Sequence, residues 1–196
     1  MTHLIIWNIF EIDSVLAKNI PEGGKMNVEK ITDGYSFERL VLGCSCTEVC
    51  KKVKNLFKNS NFKKAVRIVR NIQGDIGNWD PHSPKTDITK ILFNGVKNKI
   101  AKKFHPGKLS LYSSVGTLLD YKYGIDFFFV FKSKECKEVM VTIDLTISEG
   151  KKKRHKHKAD FVLTLNDLKN DRYIYVIDKI AVLLVTKTKK QIHFDD

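Results

Sequence analysis

YGIDFFFVFKSKECKEVMVTIDLTISEGKKKRHKHKADFVL, residues 123–163, holds two apolar runs that each carry one aspartate, Asp126 and Asp144, and it closes on a dense basic tract. Aromatic and β-branched residues dominate 125–131 and 139–148, so both read as strands, and 159–164 reads as a third. The loop between the first two centres on Glu135. An antiparallel hairpin symmetric about that residue makes Asp126 and Asp144 partners, nine residues away on either side. On that register they share a face, with Cβ atoms about 5 Å apart. A slip of one residue would instead send Asp144 to the other face and leave two unrelated aspartates.

Alternation supports a functional pair. Met140, Thr142, Asp144, Thr146 and Ser148 share one face of the second strand, while Asp126 shares its face with Phe128 and Val130, which is not a solvated pattern. Like charges directly opposite are destabilising. A divalent cation between them would remove the repulsion, and hard Mg²⁺ or Mn²⁺ prefers such oxygen ligands.

The tract that follows contains Lys151, Lys152, Lys153, Arg154, His155, Lys156, His157 and Lys158. It reads as a loop that contacts phosphates, against the plainer readings of a solvated basic loop or a nuclear localisation tract. A second basic region lies upstream. No acid occurs between Glu48 and Asp75, an interval that holds Lys63, Lys64, Arg67 and Arg70 among eight Lys and Arg. A solvated helix face mixes signs, so an unbroken basic one points to phosphates. The formal net charge of +13 agrees with a polyanionic partner, although Lys-rich codon usage would also raise it.

Helical spacing runs through 47–72, interrupted at Asn59-Ser60-Asn61, and again from Thr86 as N-cap through an apolar stripe of Ile88, Ile91, Leu92, Val96, Ile100 and Phe104. Gly95 in that helix implies a close packing contact. Residues 73–85 form a loop, and 109–112 a short strand. From Asn166 onward the spacing of Ile174, Ile177, Ile180, Ala181 and Leu184 favours a helix, although Tyr173 to Ile177 would also suit a strand. Residues 1–45 are ambiguous: HLIIWNIF and SFERLVLG each suit either a strand or a short helix, the second ending at Gly43.

No apolar run approaches the length of a membrane span, and the opening MTHLIIWNIFEID lacks the basic segment of a signal peptide. An intracellular protein is expected, cytoplasmic or, in a host with a nucleus, nuclear, with no membrane partner. The cysteines, three of them in GCSCTEVC, lack zinc-knuckle spacing and are expected as free thiols.

An aspartate opening one strand, followed by an acid-x-Lys tripeptide on the next, is the core of the PD-(D/E)xK nuclease superfamily. LLDYKYGIDFFF followed by VTIDLT resembles that signature over about 45 of the 196 residues. The resemblance implies an α/β fold with a restriction-endonuclease-like αβββαβ core at 85–196. A largely helical basic region at 1–84 would precede it, or be continuous with it as one domain. It implies Asp126 and Asp144 as metal ligands, with Asp120 as an additional acid. It departs where the lysine should stand, because Asp144-Leu145-Thr146 ends in threonine. Lys151, Lys152, Lys153 or Lys158 would then supply the cation, with Thr146 bonding the water. The function implied is a Mg²⁺- or Mn²⁺-dependent endonuclease acting on nucleic acid, DNA favoured over RNA, and a homodimer would suit cutting of two strands. Lys63, Lys64, Arg67, Arg70, Lys152, Lys153 and Arg154 are the expected phosphate contacts. The alternative is a non-catalytic nucleic-acid-binding protein on a degenerate nuclease fold.

Overall fold

The structure is a computed structural model that describes residues 31–44, 53–104, 107–134, 138–147, 159–168 and 172–192. The two apolar runs are strands β2 (Phe127–Lys132) and β3 (Val139–Thr146). They pair antiparallel from Phe127↔Ile143 to Phe131↔Val139, the register symmetric about position 135. Strand β1 (Lys108–Ser113) pairs antiparallel with β2, and β4 (Phe161–Thr164) lies parallel to β3. The result is a four-stranded mixed sheet in the order β1-β2-β3-β4, within a mixed α/β architecture.

Parallel neighbours such as β3 and β4 require a crossover. Most of that connection lies outside the described residues, and among those described no helix separates the two strands. The long C-terminal helix, α5 (Tyr173–Ile192), follows β4 instead. It is a helix and not a strand, because Val176, Ile177, Ile180, Ala181 and Leu184 repeat at helical spacing and all are buried. Ile174 is the exception and is exposed.

Helix α1 (Gly34–Leu42) settles the ambiguity of SFERLVLG. Asp33 caps it by accepting the Ser36 N–H at 2.8 Å, and Gly43 ends it in the left-handed region at φ 71. The described part of 53–72 is a 3₁₀ turn at Lys54–Phe57 followed by α2 (Phe62–Asn71), with Asn61 as its cap. Helix α3 (Asp87–Ala101) starts at Thr86, as expected. Gly95 meets Ile177 of α5, and a Cβ built there would collide with that side chain. Helix α4 (Leu118–Tyr123), capped by Thr117 and ended by Gly124 at φ 59, was not legible in the sequence. Six residues are too few to show a period.

The loop after α2 closes the free edge of β1. Gln73 accepts the Ser113 N–H at 3.0 Å and donates to the Ser113 carbonyl at 3.0 Å. Trp79 donates to the Leu111 carbonyl at 2.7 Å, and the Leu111 N–H bonds Pro81 O. An edge covered this way cannot recruit another strand. Phe37 and Val41 of α1 share one buried cluster with Phe127, Phe129, Ile143, Ile180 and Leu184, so residues on both sides of position 84 contribute to the same core. No helix among the described residues is long and apolar enough to cross a membrane.

Candidate metal centre

Asp126 stands immediately before β2. Its N–H donates to the Ile143 carbonyl at 2.9 Å, yet Ile143 is already the partner of Phe127. Two successive residues therefore face one, the count of a β-bulge, a distortion that re-aims side chains. This corrects the expected geometry. The register holds along β2 and β3, but the ladder does not continue to a simple Asp126–Asp144 opposition. The Asp126 carboxylate turns instead to accept the Leu145 N–H at 2.5 Å.

Two other acids meet it there. Glu38 arrives from α1 and Asp120 from α4, and carboxylate oxygens of Glu38, Asp120 and Asp126 all lie within 4.8 Å of one another. Asp120 also accepts the Gly116 N–H at 2.8 Å, which fixes it on the turn that opens α4. Glu38 and Asp120 are half-buried, whereas Asp126 is only 4% exposed. Burial pushes the Asp126 carboxyl well above the ordinary carboxylate range. The charges of Asp120, Asp144 and Glu38 push it further the same way, and the Leu145 N–H opposes them. Asp144 thus acts on Asp126 through its charge but is not one of the three clustered oxygens.

Of the acids expected to bind metal, Asp126 and Asp120 are brought together. Glu38 was missed. On a nine-residue capped helix its acid borders an apolar stripe, an ordinary arrangement, and only the packing of α1 against the sheet singles it out. Thr146 ends β3 opposite Thr164 and is 4% exposed. Lys151, Lys152, Lys153, Arg154 and Lys158 lie outside the described residues, as do Cys46, Cys50 and Cys136. Cys44 is buried.

Lys63, Lys64 and Arg67 are exposed on α2. Arg70 is placed differently. Its guanidinium forms two bonds to Glu138, at 2.7 and 3.1 Å, and lies over the Tyr112 ring at 5.3 Å. Helix α2 touches α4 through an edge contact between Phe62 and Tyr123, centroids 5.1 Å apart, so the basic helix adjoins the element that carries Asp120.

Other acids of the sheet have visible structural work. Asp160 takes the Thr142 N–H and hydroxyl, each at 2.9 Å, and the Lys187 ammonium at 2.7 Å. Asp167 takes the Thr164 N–H and hydroxyl. The three clustered carboxylates differ in meeting one another. In comparisons with protein-family models, with curated proteins and with solved structures, nothing matches this chain.

Proposed function

We propose that the chain is a divalent-metal-dependent nuclease that hydrolyses phosphodiester bonds in nucleic acid, DNA favoured over RNA. The observation that carries this reading is the meeting of Glu38, Asp120 and Asp126 from three separate elements, with oxygens within 4.8 Å. Burial beside like charges is a costly state for a carboxylate. A cation reverses each term of that cost, so the donor set fits a hard ion. Oxygens on one octahedral Mg²⁺ stand about 3 Å apart when adjacent and about 4 Å when opposite, given bond lengths of 2.0–2.1 Å. Separations of up to 4.8 Å would shorten on binding to reach that spacing.

A bound Mg²⁺ or Mn²⁺ would supply a Lewis acid for a phosphate oxygen and would acidify an attacking water. The chain's own residues set the rest. The Leu145 N–H and the Gly116 N–H hold two of the carboxylates in place. Asp144 adds negative charge beside them. Lys63, Lys64 and Arg67 offer cations to the backbone of the strand, and a lysine from 151–158 would stand in for the one missing at Thr146. A restriction-endonuclease-like core is part of this proposal. In its favour are the antiparallel β1-β2-β3 meander, the parallel β4, and an acid placed before β2 with a second on β3.

The alternative reading, nucleic-acid binding without catalysis, is favoured by one observation: a buried threonine, Thr146, occupies the position of the lysine. Cleavage of labelled single-stranded and duplex oligonucleotides with Mg²⁺ or Mn²⁺ separates the two. Wild type is expected to cut, and Asp126→Asn, Asp120→Asn and Glu38→Gln are each expected to lose at least about 100-fold, a typical cost of removing electrostatic stabilisation of the transition state. Cutting at wild-type rate by all three variants would refute the nuclease proposal. Metal-independent, salt-sensitive binding with no turnover would favour the alternative.

A further inference from the structure

We infer that the end of the sheet far from the carboxylate cluster is a second phosphate-binding surface, built on Lys108 and Lys132, that holds the backbone of the nucleic acid; this rests on the reading of nucleic acid as the partner. Lys108 opens β1 and Lys132 closes β2, and the two are direct partners in the antiparallel ladder. Such partners share a face, with Cβ atoms about 5 Å apart, and like charges set that way are destabilising. Both side chains are exposed. Lys132 lies six residues beyond Asp126. That is about 20 Å at the rise of a strand, or about six base pairs of duplex.

Long lysine arms splay into water, so an opposed pair alone means little. Here further cations gather round it. The end of α3 reaches this corner through Phe104, whose ring meets Phe131 at 5.8 Å, and the exposed Lys102 and Lys103 directly precede Phe104. The exposed Lys134 follows Lys132 by two residues. The end of α5 arrives through Gln191, whose side chain donates to the Glu138 carbonyl at 3.0 Å, and Glu138 directly precedes Val139, the partner of Phe131. That last turn carries Lys189 and Lys190. The lysines at the two helix ends complement the negative C-terminal ends of α3 and α5, which is reason enough for them. Lys108 and Lys132 stand on strands, where no helix end accounts for them. Protection of a bare sheet edge, a usual task of a strand lysine, does not account for them either. β2 is a central strand, and the loop after α2 already covers the β1 edge. Among the described residues, no carboxylate pairs with Lys102, Lys103, Lys108, Lys132 or Lys134. Glu138, beside Val139, gives both of its oxygens to Arg70. An anionic lipid surface would ask for exposed apolar side chains among the cations. None of the exposed large apolar residues among those described falls within 101–108, 130–134 or 186–192. A lysine meets a phosphate as a point charge, so the contact is independent of sequence.

The test is fluorescence anisotropy with labelled duplex and unpaired oligonucleotides across a salt series, in EDTA so that the strands stay intact. The double variant Lys108→Gln/Lys132→Gln is expected to lower the magnitude of the slope of log affinity against log salt by about 1.8 on a duplex and about 1.4 on an unpaired strand, two phosphate contacts in each case. On the duplex this is about 60-fold weaker binding at about 0.1 M salt, for lines that meet at about 1 M. Its Tm should equal or exceed that of wild type, because two opposed like charges are gone. Lys90→Gln/Lys179→Gln removes the same charge near the starts of α3 and α5 and should keep the wild-type slope. An unchanged slope in the first variant, an equal fall in the second, or a loss of binding that comes with a lowered Tm would overturn the inference. So would a loss confined to anionic phosphatidylserine vesicles. If wild type cuts with Mn²⁺ while the first variant binds as wild type does, the inference falls and the nuclease reading stands. If the slope falls as expected but no metal-dependent cutting is seen, the nuclease reading falls and the phosphate surface stands.

Discussion

Replacing Asp126 with asparagine should make the metal-free protein more stable at alkaline pH. The side chain is buried, and its carboxylate faces two others within 4.8 Å. Two unit charges at that separation repel by about 3.5 kcal/mol at an effective dielectric constant near 20. Asparagine removes this repulsion and keeps an oxygen for the Leu145 N–H. The neutral acceptor is weaker, which returns about 1 kcal/mol. A net gain of about 2 kcal/mol corresponds to a rise of roughly 4–8 °C in Tm for a chain of this length. The pH dependence has a definite sign. Because the folded pKa lies above the unfolded one, the folded state holds a proton that the unfolded state has released. Wild-type stability therefore falls as pH rises through the interval between the ordinary carboxylate value and the raised one, and the full cost is present above it. Thermal melts in EDTA should show the Asp126→Asn protein above wild type at pH 8, with the gap closing as pH falls toward 4. Adding Mn²⁺ at 100 times its dissociation constant should stabilise wild type by about 2.7 kcal/mol and the variant by much less. A variant that melts below wild type at pH 8 in EDTA, or an equal Mn²⁺ shift in both proteins, would refute the reasoning.

Four further outcomes are expected. Gly95→Ala should destabilise by about 1–3 kcal/mol through its clash with Ile177, despite a helix-propensity gain of about 1 kcal/mol, and in an Ile177→Ala background, where the clash is gone, the same substitution should cost less in urea unfolding. Gln73→Ala strips the partner from the Ser113 N–H at the β1 edge and should cost about 1–3 kcal/mol, read as a lower denaturant midpoint with an unchanged slope. Lys63→Ala should reduce the magnitude of the slope of log affinity against log salt by about 1. Arg70→Ala, whose guanidinium is held by Glu138, should leave that slope unchanged and lower the Tm instead.

The strands were legible because aromatic and β-branched residues fill residues 127–131 and 139–143, and because the loop between them is symmetric about Glu135. Thr86 as a cap and Gly95 as a contact were legible for local reasons: a hydroxyl before a helical stripe, and a glycine inside one. The candidate site was legible only in part. Asp126 and Asp120 stood out, but their geometry did not, because the bulge before Phe127 is a property of the ladder and leaves no mark in alternation. Glu38 lies 88 residues before Asp126, and although an apolar stripe marks the buried face of α1, nothing in its own sequence says that this face meets the sheet beside Asp126. Arg70 looked like its neighbours on α2 until Glu138, distant in sequence, was seen to take its charge.

What holds three repelling carboxylates together is the core on which each is mounted. Phe37, fully buried, precedes Glu38, and Leu119, fully buried, precedes Asp120. Asp126 sits between the buried Ile125 and Phe127, and the Ile125 N–H bonds the Leu119 carbonyl at 3.1 Å, so the backbones carrying two of the acids are tied directly. Withdrawing any one element to relieve the repulsion would pull such a residue out of the core, at about 1.5–3 kcal/mol for each side chain exposed. Moving α1 would expose Phe37, Val41 and Leu42 together. That loss exceeds the repulsion of about 3.5 kcal/mol between a pair of charges at the cluster's spacing. The cheaper responses leave the backbone where it is, by taking up a proton or a cation. The raised pKa of Asp126 is the first response. The proposed metal is the second, and it is the one that a polyanionic substrate can use.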